Sequence, residues 1–188
     1  HYVGLAVLFV VCFLVLNWLY GYVILVQSET TDCFFMFGRE FAVDLLDRPA
    51  APLTYAGRFL GQFYLYPWLG ALIVSGGITC FGRVFHAVLV KLRGTAHVFM
   101  TLIPCILLLA LHTSTACLIQ DTLGVSASCS AFFGYLLLRR GPTRHVYALA
   151  ATPLLYLGLG AYVWLFVVCV VAFEWLDGPA HSGLGFKI

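Results

Sequence analysis

The sequence predicts an all-α integral membrane protein of about five transmembrane helices, with an amphipathic interfacial helix in the first outer loop. Three observations predict it. Of 188 residues, 62% are hydrophobic and only 10% are charged. A soluble domain carries about 25% charged residues, so a water-soluble fold would lack the polar groups to cover itself. Several uncharged segments approach the roughly 20 residues that a helix needs to cross a bilayer. Cationic residues also gather in alternate connections between those segments. The net charge of +2 is unremarkable, and no run of Lys and Arg resembles a nucleic-acid footprint, so no nucleic acid is expected as a partner.

The first span covers about 3–26 and has no charge. The second covers about 59–82, ending just before Arg83, and the third about 96–113. The fourth, about 122–138, is short and contains Ser126, Ser128 and Ser130. Membrane helices tolerate such hydroxyls through back-bonding and helix contacts. The fifth covers about 146–173. Residues 1–176 thus read as one transmembrane domain and 177–188 as a flexible, Gly-rich tail. The opening segment is too long and too uniformly apolar for a signal-peptide core of about 7–15 residues. A start at His1 is expected of a processed form or a piece of a larger chain.

Arg83, Lys91 and Arg93 lie between the second and third spans, and Arg139, Arg140 and Arg144 between the fourth and fifth. No acid accompanies either group. The positive-inside rule puts both loops in the cytoplasm. The N-terminus is then cytoplasmic, and an odd span count leaves the C-terminus periplasmic.

The outer loop, 27–58, carries Glu29, Asp32, Glu40, Asp44 and Asp47 together with Arg39, Arg48 and Arg58. Phe34, Phe37, Phe41 and Leu45 follow helical spacing, which predicts the interfacial helix over 34–47. Asp47-Arg48-Pro49 ends it, because a residue before Pro avoids the helical region. A second short helix is expected near Pro52, carrying Tyr55, Arg58 and Phe59 towards the second span. Glu29 and Asp32 are three apart and Glu40 and Asp44 four apart, so each pair shares a helical face. Paired carboxylates can hold a divalent metal or act as a general base. They can equally be solvated charges paired with Arg39 and Arg48, which contribute little. Glu29 and Asp32, at the mouth of the first span, are the candidate catalytic residues. Arg39, Arg58, His112 and Asp121 share that side and are candidate substrate-binding residues. His112 also reads as a hydrogen-bonded boundary residue.

Asn17 and Gln62 read as interhelical hydrogen-bonding groups, and Tyr64, Tyr66 and Trp68 as an interfacial aromatic belt. Pro104 and Pro153 are expected to kink or loosen the spans that hold them. Seven cysteines occur, none in a CxxC pair. Spacing leaves a Cys33–Cys117 disulfide open. The sequence has no P-loop, HExxH, GxSxG or zinc-type spacing, no chain of buried acids in a span and no inverted repeat. No cofactor is therefore expected, and a divalent metal belongs only to an enzyme reading.

The stretch from Glu29 through GRFLGQFYLYPWLGALIVSG (57–76), together with LLLALHTS (107–114), resembles an uncharacterised family of large bacterial multi-pass membrane proteins. The resemblance covers about the first two-thirds of the chain. It implies a bacterial inner membrane and no assigned chemistry. More loosely, the layout is similar to the N-terminal part of polyprenyl-phosphate-dependent, GT-C-like glycosyltransferases. In those enzymes an acid near the end of the first span does the work, and by position Glu29 or Asp32 matches it. That resemblance implies a base or metal ligand activating a sugar acceptor, with a polyprenyl-phosphate lipid as partner. The chain departs from it in lacking an adjacent Asp-Glu pair and in having too few spans. Two functions are thus expected. The first is a non-catalytic, multi-pass subunit of a larger inner-membrane assembly, whose partners are the bilayer and other membrane chains. The second is a glycosyltransferase-like enzyme, or a fragment of one, acting on a lipid-linked substrate at the outer face. A small transporter is disfavoured, because the spans supply few polar groups to line a path.

Overall fold

The computed structural model describes residues 2–30, 49–95, 97–114, 117–139 and 141–177, with the backbone alone for Tyr2, 27–30 and Asp177. The described residues form helices joined by turns, with no strand among them. In chain order these are α1 (Tyr2–Leu14), a π-helical turn (Val15–Leu19), α2 (Gly21–Thr30), α3 (Ala51–Gly61), a 3-10 turn (Gln62–Leu65), α4 (Pro67–Arg93), α5 (Val98–His112), α6 (Ile119–Leu137), α7 (Pro142–Leu159), a 3-10 turn (Gly160–Tyr162) and α8 (Val163–Asp177).

Local chemistry sets the limits of the longest helix. Tyr66 is extended, with φ −108° and ψ 104°, as a residue before Pro must be. Pro67 then opens α4, where its missing N–H costs nothing. The helix stops at Gly94, whose φ of 75° suits glycine and whose N–H bonds the Val90 carbonyl at 2.8 Å. Lys91 and Arg93 occupy the last turn, where cations favour the negative end of the helix dipole.

Helices α4 and α6 run parallel at the centre. A Cβ on Gly77 would meet Thr122 and Ile119, near the start of α6. Towards its other end, Val88 clusters with Phe132, Tyr135 and Leu136. The α1–α2 limb runs antiparallel to α4, since Leu5 and Leu8 flank Gly82 while Ile24 meets Gly70. Helix α5 is antiparallel as well, with His86 bonded to Thr101 at 3.1 Å and Cys105 against Gly82. Around α6, Tyr147 of α7 meets Gly134, and α8 follows α6 from Tyr162 beside Gly124 to Phe173 beside Phe132 and Tyr135. One core gathers α1, α2, α4 and α5, and the other α6, α7 and α8. One end of the bundle carries Lys91, Arg93, Arg139 and Arg144 and is called the basic end here. The other carries His112, Asp121 and Tyr162.

By length and composition two helical stretches can cross a membrane, Pro67–Arg93 and Pro142–Leu176. The second is not a single rod. The chain reverses at Gly160–Tyr162, and Phe173 returns to within 5.2 Å of the Arg144 guanidinium. In a continuous helix those residues would stand about 43 Å apart. The expected fifth span, 146–173, is therefore two antiparallel helices. Helix α8 ends at the same end of the bundle where α1 begins. An apolar stretch without a polar turn reads as one span, because hydropathy registers no reversal made by glycine.

Gly160 makes that reversal with φ 61°. The end of α7 leaves carbonyls without helical partners, and the Ala50 N–H bonds the Leu157 carbonyl at 3.1 Å. A Cβ on Gly160 would lie 2.8 Å from the Ala50 Cβ, so glycine also permits the approach of α3.

Other expectations shift too. The second pass begins at Pro67 rather than near Phe59, because the Gln62–Leu65 turn separates α3 from α4. The first pass is interrupted by the π-helical turn around Asn17. Tyr64 lies in the core against Gly70, whereas Tyr66 and Trp68 are exposed. Both α5 and α7 remain helical through Pro104 and Pro153. The short helix expected near Pro52 is α3. The interfacial helix over 34–47, Asp32, Cys33, Arg39 and the tail from 178 lie outside the described residues.

Replacing Gly160 with Ala introduces both a disfavoured φ and a clash with Ala50. It is expected to cost about 2 kcal/mol or more, read as a lowered melting temperature in detergent. A Cβ at Gly158 would meet nothing within 4 Å. Gly158→Ala is therefore expected to be neutral or stabilising by about 0.5–1 kcal/mol.

Candidate functional site at the Asp121 end

Asp121 sits in the first turn of α6. One carboxylate oxygen accepts the Leu118 N–H at 2.8 Å, satisfying a donor that a helix N-terminus leaves over. Its other oxygen accepts the hydroxyl of Tyr162, which the reversal after α7 delivers. The Tyr162 carbonyl in turn accepts the Ser128 hydroxyl at 2.8 Å. Gly124 makes room for the ring, since a Cβ there would fall 2.5 Å from it.

One residue along α6, Thr122 shares a hydrogen bond of 2.6 Å with His112 Nε2. His112 is 2% exposed and Thr122 is fully buried. The bond ties the end of α5 to the start of α6 across a turn too short to pack by itself. Cys117 lies in that turn. Burial above all, and then the charge and hydrogen bond of Asp121, push its thiol up to about 11. From α3, Gly57 packs onto Gln120, where a Cβ would come within 2.9 Å. Arg58 follows it, half-buried, in the last turn of α3.

The sequence-predicted residues therefore divide. His112 and Asp121 stand at the same end, each bonded to a neighbouring helix or turn. Arg58 lies on the helix that packs against that end. Glu29 occupies the last turn of α2, which also finishes there, and is described by its backbone alone. Asp32 and Arg39 lie outside the described residues. Among the described residues, no three His, Cys, Asp or Glu side chains stand together to hold a metal. The carboxylate and the imidazole act as interhelical ties here, since each uses polar atoms on another element.

A second polar cluster, which the sequence does not reveal, lies at the basic end. Arg144, 6% exposed, lies in the first turn of α7. Its guanidinium stands 4.9 Å from the centre of the Tyr135 ring and 5.2 Å from that of Phe173, distances at which a cation is drawn to an aromatic face. One N–H donates to the Leu138 carbonyl at 3.2 Å. The Tyr135 hydroxyl donates to Glu174. In sequence Arg144 reads as a loop cation, and Tyr135 is 39 residues from Glu174. Only the reversal at Gly160 brings them together.

Residues 1–183 match a family described as a family of unknown function (DUF6057). No curated protein matches the chain and no solved structure does.

Two outcomes test the Asp121 cluster. Tyr162→Phe leaves a carboxylate oxygen without its donor and is expected to cost about 1–3 kcal/mol. In a double-mutant cycle with Asp121→Asn the losses should be clearly less than additive. In a variant that keeps Cys117 as its only thiol, Asp121→Asn removes a charge that raises the thiol. The thiolate fraction at pH 8 should rise, and alkylation by iodoacetamide should speed up.

Proposed function

We propose that this chain, which belongs to the family of unknown function DUF6057, is a six-pass membrane protein serving as a non-catalytic subunit of a larger bacterial inner-membrane assembly. Large apolar side chains such as Trp18, Phe99, Ile103, Leu149, Trp164 and Trp175 stand exposed around the bundle. A soluble monomer rarely carries so much apolar surface. Under the positive-inside rule the end with Lys91, Arg93, Arg139 and Arg144 faces the cytoplasm. Both ends of the described chain then lie inside, and the Asp121 end lies outside.

The observation that carries the subunit reading is one stripe of α4. This helix meets α5 through Gly82 and His86, and α6 through Gly77 and Val88. Leu72, Gly76, Cys80 and Arg83 lie on a different stripe. Leu72, Cys80 and Arg83 are exposed, and a Cβ on Gly76 would meet nothing within 4 Å. Small residues let another helix approach closely. The open side of Gly76, between exposed Leu72 and Cys80, leaves room there for a neighbouring helix.

A photo-crosslinking amino acid at position 80 should trap a protein, and one at position 103 on the outer face of α5 should trap lipid. Gly76→Leu should abolish the protein adduct at position 80 without lowering the level of the chain. Lipid adducts alone at both positions would sink the reading.

The enzyme reading has one observation in its favour, that α2 delivers Glu29 to the same end as His112 and Asp121. It makes Glu29 and Asp32 the base or metal ligands for a polyprenyl-phosphate-linked substrate. It expects Glu29→Gln and Asp32→Asn to remove a lipid-linked glycan from cell extracts at unchanged protein level. An unaltered glycan pool in both variants would exclude it.

A further inference from the structure

We infer that the basic end holds a site for an anionic phospholipid, with its phosphate in a cationic cavity and an acyl chain in the apolar cavity beside it. The inference rests on the membrane reading above and is independent of the partner helix. The first cavity, about 400 Å³, is lined by Lys91, Arg139 and Arg144 together with Leu92, Leu138 and Phe173. The second, about 450 Å³, is lined by Leu92, Arg93, Phe132, Cys169, Phe173 and Leu176. They share Leu92 and Phe173, so they adjoin. One is cationic and the other largely apolar, which is the division that a lipid phosphate and its acyl chain require.

Arg144 is the point on which the cationic cavity turns. It is 6% exposed, and its Nε is buried with no hydrogen-bond partner among the described residues. Its guanidinium meets the Leu138 carbonyl, two ring faces and the Tyr135 hydroxyl, and the Glu174 carboxylate reaches it only through that hydroxyl. Arginine carries five N–H donors in a fork that matches phosphate oxygens. A buried donor left unpaired is costly, and a phosphate in the cavity would satisfy the Arg144 Nε and add negative charge beside three cations. Lys91 and Arg139 are exposed and reach the same cavity from α4 and from the turn after α6. Basic pockets between membrane helices on the cytoplasmic side suit anionic headgroups of this kind.

The test uses the full chain purified in detergent, after confirming that it fractionates with membranes. Binding is read by native mass spectrometry and by melting temperature, with phosphatidylglycerol, phosphatidylcholine of the same acyl chains, and inorganic phosphate as probes. Phosphatidylglycerol should be retained and should raise the melting temperature, and the other two should not. Lys91→Ala and Arg139→Ala change exposed residues and should leave the lipid-free melting temperature unchanged. Each should weaken phosphatidylglycerol binding about fivefold, and the pair about twenty-fivefold. Equal retention of phosphatidylcholine, an equal response to inorganic phosphate, or full binding by the double variant would overturn the site. Failure of any of these in a chain that fractionates with membranes leaves the membrane reading intact.

Discussion

The reversal at Gly160–Tyr162 is the constraint on which the rest of the arrangement depends. It is built from a glycine with φ 61°, an Ala50 N–H that bonds the last carbonyls of α7, and a tyrosine whose hydroxyl reaches Asp121. Each part answers a physical need. A helix end leaves its last carbonyls without helical partners, and Ala50, just before α3, donates its N–H to the Leu157 carbonyl. The turn lacks a polar side chain at its apex, so the tie to Asp121 fixes its direction. Once α8 runs back along α6, Phe173 and Glu174 arrive beside Tyr135 and Arg144, and the basic end acquires its buried cation.

The two ends of the bundle are thereby built on the same plan with different chemistry. At the Asp121 end, His112–Thr122 and Asp121–Tyr162 join α5, α6 and α8 through neutral or singly charged hydrogen bonds. At the basic end, Arg144 is held by aromatic faces while Glu174 is held by a phenol. The first cluster is satisfied within the chain. The second leaves a guanidinium nitrogen unpaired and opens on two cavities, which is why ligand binding is assigned there and helix fastening at the other end.

Much of the helical architecture was legible in the sequence. Uncharged stretches marked the helices α1–α2, α4, α5 and α6, and Pro52 and Pro67 marked two helix starts. His112 and Asp121 could be assigned to one end from the alternation of basic loops. The reversal could not be read, because Leu157-Gly158-Leu159-Gly160 is as apolar as the helices it separates. Its loss hid everything that depends on it, namely the pairing of Arg144 with Phe173 and the bond from Tyr135 to Glu174. Tyr64 misled for a similar reason. Its neighbours Tyr66 and Trp68 do stand exposed, but the 3-10 turn before Pro67 rotates Tyr64 into the core.

The central claim is that Pro142–Leu176 is a hairpin. Spin labels at Val146 and Val171, both exposed, test it most directly by pulsed electron–electron double resonance. Helices in contact lie about 8–10 Å apart, so with label arms the hairpin predicts a separation of about 20 Å or less. A single continuous helix would place the labels about 38 Å apart, and that distance would contradict the account.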